Sequence, residues 1–212
     1  FAVPVVLPPG LAASIRSARV VAVIPSRYQS TRLPGKPLAL IAGVTMVEHV
    51  YRRATAPRHV DAVVVATDDT KVADVVSGFG GTAVMTRSDH ATGTDRLAEV
   101  SRALEGEIVV NVQGDEPLMT ADAIDAAVTL LASRPQDVMA TLRKRMTDFG
   151  DLSNPCVVKL VTDAAGYALY FTRSPIPFVR PNQPAPTFWR HLGLYAYRRE
   201  FLATLSALTP TR

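Results

Sequence analysis

The strongest constraint on the fold is a set of short, unbroken apolar runs, each followed by a stretch of helical periodicity. Arg19-Val-Val-Ala-Val-Ile24 stops at Pro25, Asp61-Ala-Val-Val-Val-Ala-Thr67 stops at two aspartates, and Glu107-Ile-Val-Val-Asn-Val112 stops at a polar loop. Runs of this length without polar alternation suit strands buried on both faces, as in parallel sheets. Between and after them Val47, Val50, Tyr51 and Ala54 recur at helical spacing, as do Leu97, Val100 and Leu104, and then Ile124, Ala127, Val128 and Leu131. Thr45-Met-Val-Glu48 has the form of a capping box. A further helix is expected from Thr70 to Gly78, a short strand over 82–86, and another helix start near Thr94. The alternation predicts an α/β fold with a mostly parallel, twisted sheet flanked by helices. Ligands of such sheets bind beyond the strand carboxyl ends, so the chemistry is expected just after residues 24, 67, 86 and 112.

The second half changes character. Strands are expected over 138–145, 157–163, 167–173 and 191–197, with Asp163-Ala-Ala-Gly166 as the turn of a hairpin. The stretch 180–187, carrying Pro181, Pro184 and Pro186, reads as a loop. Residues 1–18 read as an irregular N-terminal extension and 19–212 as one domain, with the late strands extending or covering the same sheet. Length supports this, since 212 residues can bury a full core without metal or disulfide staples.

Composition excludes more than it selects. With 48% apolar and 20% charged residues, disordered and collagen-like classes are out. No apolar run approaches the roughly 18 residues of a membrane helix, and 1–10 lacks the basic start of a signal peptide. The single cysteine, Cys156, favours a reducing compartment, hence the cytoplasm. It is expected to pack as a small hydrophobe rather than act as a catalytic thiol. A net charge of +4 fits an anionic small molecule and also nucleic acid. Nucleic-acid binding ranks last, because the strongest cationic cluster outside the first loop, Arg143-Lys-Arg145, sits on a presumed strand without aromatic neighbours.

The loop after the first strand, Pro25-Ser-Arg-Tyr-Gln-Ser-Thr-Arg-Leu-Pro-Gly-Lys-Pro37, holds Arg27, Arg32 and Lys36, the hydroxyls of Ser30 and Thr31, and Gly35. At a strand carboxyl end this set suits a polyphosphate; a solvated basic loop is the alternative. It is not a Walker A loop, because Ser30 and Pro37 stand where that pattern needs Gly and Ser or Thr. Gly78-Phe-Gly80-Gly81 follows a helix and is continued by Ala83, so no dinucleotide fingerprint is present. After the fourth strand, Asn111-Val-Gln-Gly-Asp-Glu-Pro117 places Asp115 and Glu116 behind a permissive Gly114. One such carboxylate suits Mg²⁺, which takes its other ligands from phosphate and water; a polar turn is the alternative. Asp68 and Asp69 fit a site or a turn equally well, and His49 and His59 read as structural.

Taken in order, these segments resemble the 3-deoxy-manno-octulosonate cytidylyltransferases, the CMP-Kdo synthetases. Ser26-Arg-Tyr-Gln-Ser-Thr-Arg-Leu-Pro-Gly-Lys-Pro-Leu38 is similar to the opening signature of that family. Ala66-Thr-Asp68, Thr86-Arg-Ser-Asp-His90, Gly93-Thr-Asp-Arg-Leu-Ala-Glu99 and Asn111-Val-Gln-Gly-Asp-Glu-Pro117 follow in the family's order. So do Asn154-Pro155, Tyr167-Ala-Leu-Tyr-Phe171 with Arg173, Ile176-Pro177, and Arg190-His-Leu-Gly-Leu-Tyr195. The resemblance implies a Rossmann-like nucleotidyltransferase fold whose strand-rich second half completes a sugar site. It implies the reaction CTP + Kdo → CMP-Kdo + pyrophosphate with Mg²⁺, for lipopolysaccharide biosynthesis.

By the same resemblance, Lys36, Arg27 and Asp115 would be catalytic, with Asp115 the metal ligand. Ser26, Ser30, Arg32 and Gln113 would join Arg27 and Lys36 on the nucleotide, and Arg87, Gln113, Arg173, His191 and Tyr195 would hold the sugar. A homodimer is implied, with no nucleic-acid or membrane partner. The family continues past the point matching Arg212 with a dimer-forming segment and a second metal-ligating Asp, so this chain is expected to be truncated at its C-terminus. An enzyme for 8-amino-Kdo or another acidic sugar, or a catalytically silent nucleotide-binding domain, fits the same residues.

Overall fold

The structure, a computed structural model, describes residues 15, 17–29, 33–181, 184 and 186–209. These divide into two compact units, one of residues up to 140 together with 194 onward, the other of residues 141–193.

The first unit is the predicted α/β assembly. Strands β1 (Val20–Pro25), β4 (Ala62–Thr67), β5 (Ala83–Met85) and β6 (Ile108–Asn111) form a parallel sheet in the order β5-β4-β1-β6. Residues 195–198 of β10 (Trp189–Arg198) join antiparallel to β6, with Tyr195 opposite Asn111 and Tyr197 opposite Val109. Side chains alternate between the two faces of a strand. Val21, Val23, Val64, Ala66 and Val109 therefore meet Leu97, Val100 and Leu202 on one face. Those partners belong to helices α3 (Gly93–Ser101) and α5 (Arg199–Ala207). The intervening β1 and β4 residues, Ala22, Ile24, Val63 and Val65, are buried too, as are the apolar faces of α1 (Met46–Ala54), α2 (Thr70–Gly78) and α4 (Ala121–Ala132). Burial on both faces is what the unbroken apolar runs encode.

Local signals held unevenly. Asp69 caps α2 through the Lys71 amide, and Thr92 and Asp95 form a reciprocal capping box on α3. The box expected at Thr45 and Glu48 does not form. Glu48 instead takes Arg52 one turn on, and Thr45 Oγ1 is buried without a partner among the described residues. The hairpin of β2 (Leu40–Ile41) and β3 (Val44–Thr45) was not foreseen; it turns through Ala42 and Gly43, at φ of 50° and 83°. Of the two histidines expected to be structural, His49 is so, its Nε2 bonding the Ile41 carbonyl at 2.9 Å, while at His59 it is the backbone amide that donates to Asp125, at 2.9 Å.

The second unit is antiparallel. Strands β8 (Lys159–Thr162) and β9 (Ala168–Thr172) form the predicted hairpin, with Gly166 at φ 92° in its turn. β8 also pairs with the first residues of β10, and β7 (Met139–Arg145) pairs with β10. Cys156 is exposed, which corrects the expectation that it packs as a hydrophobe. The Asn154 side chain accepts from the Cys156 amide and the Val157 amide closes onto the Asn154 carbonyl, so 154–157 turn and the strand starts only at Lys159. Arg143 on β7 lies over the Trp189 ring at 4.1 Å, so the cationic cluster does have an aromatic neighbour.

Candidate active site

The end of β1 begins the site. The Ser26 amide donates to the Ala66 carbonyl at 2.8 Å, holding the chain one residue past the strand, and Ser26 is 2% exposed. Its Oγ has no partner among the described residues. A buried hydroxyl without a partner is costly, so a ligand atom is its natural complement. The loop then runs out through Arg27, Tyr28 and Gln29 and is closed by the Gly35 amide on the Tyr28 carbonyl at 2.9 Å. Gly35 sits at φ 70°, where a side chain is strained. Ser30 and Arg32, both expected to bind nucleotide, lie outside the described residues.

Gly35 delivers Lys36 into a 3₁₀ turn, Lys36–Leu38, whose next residue, Pro37, is buried. Lys36 Nζ meets Asp115 Oδ2 at 2.6 Å, bringing together two residues 79 positions apart. Asp115 is carried there by β6 and the turn Val112-Gln-Gly-Asp115. Gly114 is required by close approach: a Cβ there would stand 2.7 Å from the Pro25 carbonyl oxygen. Gln113 donates from Nε2 to Asn111 Oδ1 at 3.1 Å, which fixes its amide.

Ser26, Arg27, Lys36, Gln113 and Asp115 all line one cavity of about 350 Å³ at the carboxyl ends of β1 and β6. Arg27 makes no ion pair among the described residues, while Lys36 is neutralised by Asp115. A second, larger cavity of about 820 Å³ shares Arg27 and Gln29 with the first and is also lined by Asp68, Asp69 and Ser88. Among the described residues no cluster of three or more His, Cys, Asp or Glu forms a complete metal cage. One partly exposed carboxylate, with Oδ1 unbonded among the described residues, has chemistry that would suit a hard cation drawing its other oxygens from phosphate and water.

The remaining predicted residues lie elsewhere. Arg87 forms an exposed ion pair with Asp89, whose hydrogen bond and charge raise the guanidinium pKa and lower that of the carboxyl. Its backbone amide is held by the buried Glu99, which also takes the His90 ring. Tyr195 stacks on Tyr197 at 5.9 Å; burial raises both phenols, Tyr197 to about 12. In the second unit, Arg173 donates to the Pro155 carbonyl. His191 shares a 2.8 Å hydrogen bond with the Thr141 hydroxyl and meets Phe171 edge-on, and burial lowers its pKa. Of the two uncertain aspartates, Asp69 is the α2 cap and Asp68 pairs with Arg96.

Arg96 escaped the sequence reading. It lines the smaller cavity, is fully buried, and donates to Asp68 Oδ2 at 2.9 Å and to Thr86 Oγ1. The signal was present: positions 96, 97, 100 and 104 share one helical face, so an arginine at 96 falls among core residues.

A parallel sheet with a cationic loop and a lone carboxylate at its carboxyl edge defines the class, and residues 21–212 match the cytidylyltransferase family. A 3-deoxy-manno-octulosonate cytidylyltransferase of Syntrophotalea carbinolica is 50% identical over 197 residues, covering 89% of this chain and 79% of that protein. Its counterpart in Syntrophobacter fumaroxidans is 52% identical over 198 residues, 92% of this chain and 79% of that one. A solved structure of CMP:2-keto-3-deoxy-manno-octonic acid synthetase complexed with CTP superposes with a TM-score of 0.86 at 44% identity, covering 91% of this chain and 79% of that one. The chain belongs to the 3-deoxy-manno-octulosonate cytidylyltransferase family.

Proposed function

We propose that this chain transfers CMP from CTP to the anomeric hydroxyl of Kdo, releasing pyrophosphate, and that the Lys36–Asp115 cavity is where it does so. The observation that carries this reading is the 2.6 Å approach of Lys36 and Asp115 beside a buried Ser26 hydroxyl that has no partner among the described residues, in a chain of this family. The sugar hydroxyl attacks the α-phosphorus, the bond to the pyrophosphate oxygen breaks, and the hydroxyl proton leaves to solvent. Such a step needs alignment and charge neutralisation more than covalent help. Arg27 and Lys36 supply cations for the triphosphate, and Ser26 Oγ gains a partner that the described residues do not provide. Triphosphate oxygens compete with Asp115 for the Lys36 ammonium, so nucleotide entry frees the carboxylate. Asp115 would hold Mg²⁺, which when bound neutralises phosphate charge and orients the reacting oxygens. Gln113, with its amide fixed by Asn111, offers hydrogen bonds to the sugar. Arg87, Tyr195 and, from the second unit, Arg173 and His191 are assigned to the sugar by family resemblance, as are Ser30 and Arg32 to the nucleotide. Residues 19–212 then act as one functional domain, in a cytoplasmic homodimer without nucleic acid.

The test is pyrophosphate release from CTP, Kdo and Mg²⁺, with the product identified by mass. CMP-Kdo formed only when all three are present is the expected result. Release that is independent of Kdo, or faster with another acidic sugar such as 8-amino-Kdo, would overturn the substrate assignment. No release would overturn the activity.

A further inference from the structure

The Arg96–Asp68 pair stands between the two cavities: Arg96 lines the smaller and Asp68 the larger, and Arg27 and Gln29 line both. The guanidinium is fully buried on the first turn of α3, which begins at Gly93, where an added Cβ would stand 3.5 Å from the Pro25 ring. Its two terminal nitrogens go to different strand ends, Asp68 after β4 and Thr86 after β5, and Thr86 in turn donates to the Thr67 carbonyl at 3.0 Å. Arg96 Nε is left buried without an acceptor among the described residues. Aiming one fork at two strand ends has left that third donor unpaired, so the pair fixes the wall of both cavities at some cost to stability. Asp68 gives Oδ2 to Arg96, and its side chain is 16% exposed. A carboxylate can accept several hydrogen bonds, so capacity remains toward the larger cavity.

Resting on the functional reading above, we propose that Arg96 is a positioning residue for nucleotide binding. It holds Asp68 oriented in the shared wall, where the carboxylate oxygen left unbonded among the described residues accepts an N–H or O–H donor of the nucleoside. Arg96 acts through Asp68 rather than touching the ligand. Removing a charge-assisted hydrogen bond of this kind weakens binding by about tenfold to hundredfold.

The experiment is calorimetric titration of CTP into the wild type, Asp68→Asn, Arg96→Lys and the double variant, alongside thermal unfolding and steady-state rates. The expected result is a Kd raised about tenfold or more in each single variant. The double variant should lose much less than the product of the two single effects, because the residues act through one another. The loss should fall more on Kd than on kcat. A merely structural pair would lower the unfolding temperature and leave Kd unchanged in the folded protein, which would overturn the proposal. Asp68→Asn changes no volume and carries the test alone if Arg96→Lys does not fold. The donor is identified by the analogue that escapes the Asp68→Asn penalty, UTP for the base amine or 2′-deoxy-CTP for the ribose hydroxyl. An equal penalty for all three nucleotides overturns the acceptor role. Wild-type protein that does not bind CTP overturns the functional reading itself, and this proposal with it.

Discussion

The two units bury a cation in opposite ways. In the first, the guanidinium of Arg96 meets side chains, a carboxylate and a hydroxyl at two strand ends. In the second, the fully buried ammonium of Lys159 meets only backbone, donating to the carbonyls of Asn154 and Val157 at 3.0 and 2.9 Å and to that of Arg173. Each arrangement follows from the fold around it. Parallel strands end together at one edge, where loops of different origin present side chains that a planar fork can join. An antiparallel hairpin leaves turn carbonyls converging, and three ammonium protons match three carbonyls. The first device tunes a wall of the candidate site; the second stitches the 154–157 turn to the end of β9.

The comparison breaks most readily through activity. Asp115→Ala should lower the rate of CMP-Kdo formation by about a thousandfold, whereas Glu116→Ala, one exposed residue further on, should leave it within twofold. Equal losses would show that charge near the loop, not the position opposite Lys36, matters. Stability sharpens the contrast next. Lys159→Met removes the donor from three carbonyls around a buried ammonium and should cost about 3 kcal/mol in urea unfolding. A cost below about 1 kcal/mol would mean the turn stands without its ammonium.

Tyr197 gives a pH test confined to the first unit. Its folded pKa of about 12 lies above the ordinary 10.0, so the folded chain keeps this proton longer than the unfolded one. The associated stability is therefore full below pH 10 and is lost as pH rises toward 12, by up to about 3 kcal/mol. Tyr197→Phe should flatten that part of the pH–stability curve. An unchanged slope would assign the loss to other groups.

How much of this was legible in the sequence depends on burial. β1, β4 and β6 were readable because both faces are covered, leaving apolar runs interrupted only by Asn111 near the end of β6. The loop residues Arg27 and Lys36 and the carboxylate Asp115 were readable because the strand ends fix where they must lie. The β2–β3 hairpin was not, since two-residue strands carry no period and Ala42-Gly43 lacks the Asn-Gly signal of such turns. The Thr45 box failed because Glu48 had a closer competitor in Arg52. Cys156 misled because an apolar neighbourhood in sequence, next to Val157 and Val158, is a turn in space. Arg96 was hidden because its partners, Asp68 and Thr86, lie 28 and 10 positions earlier, where helical periodicity leaves no trace of them.

Single-turnover CMP transfer by Lys36→Met at saturating CTP, Kdo and Mg²⁺ tests the central claim most directly. The account predicts a rate at least about a hundredfold below wild type in a variant that still unfolds at the wild-type temperature. A rate within twofold of wild type would contradict it.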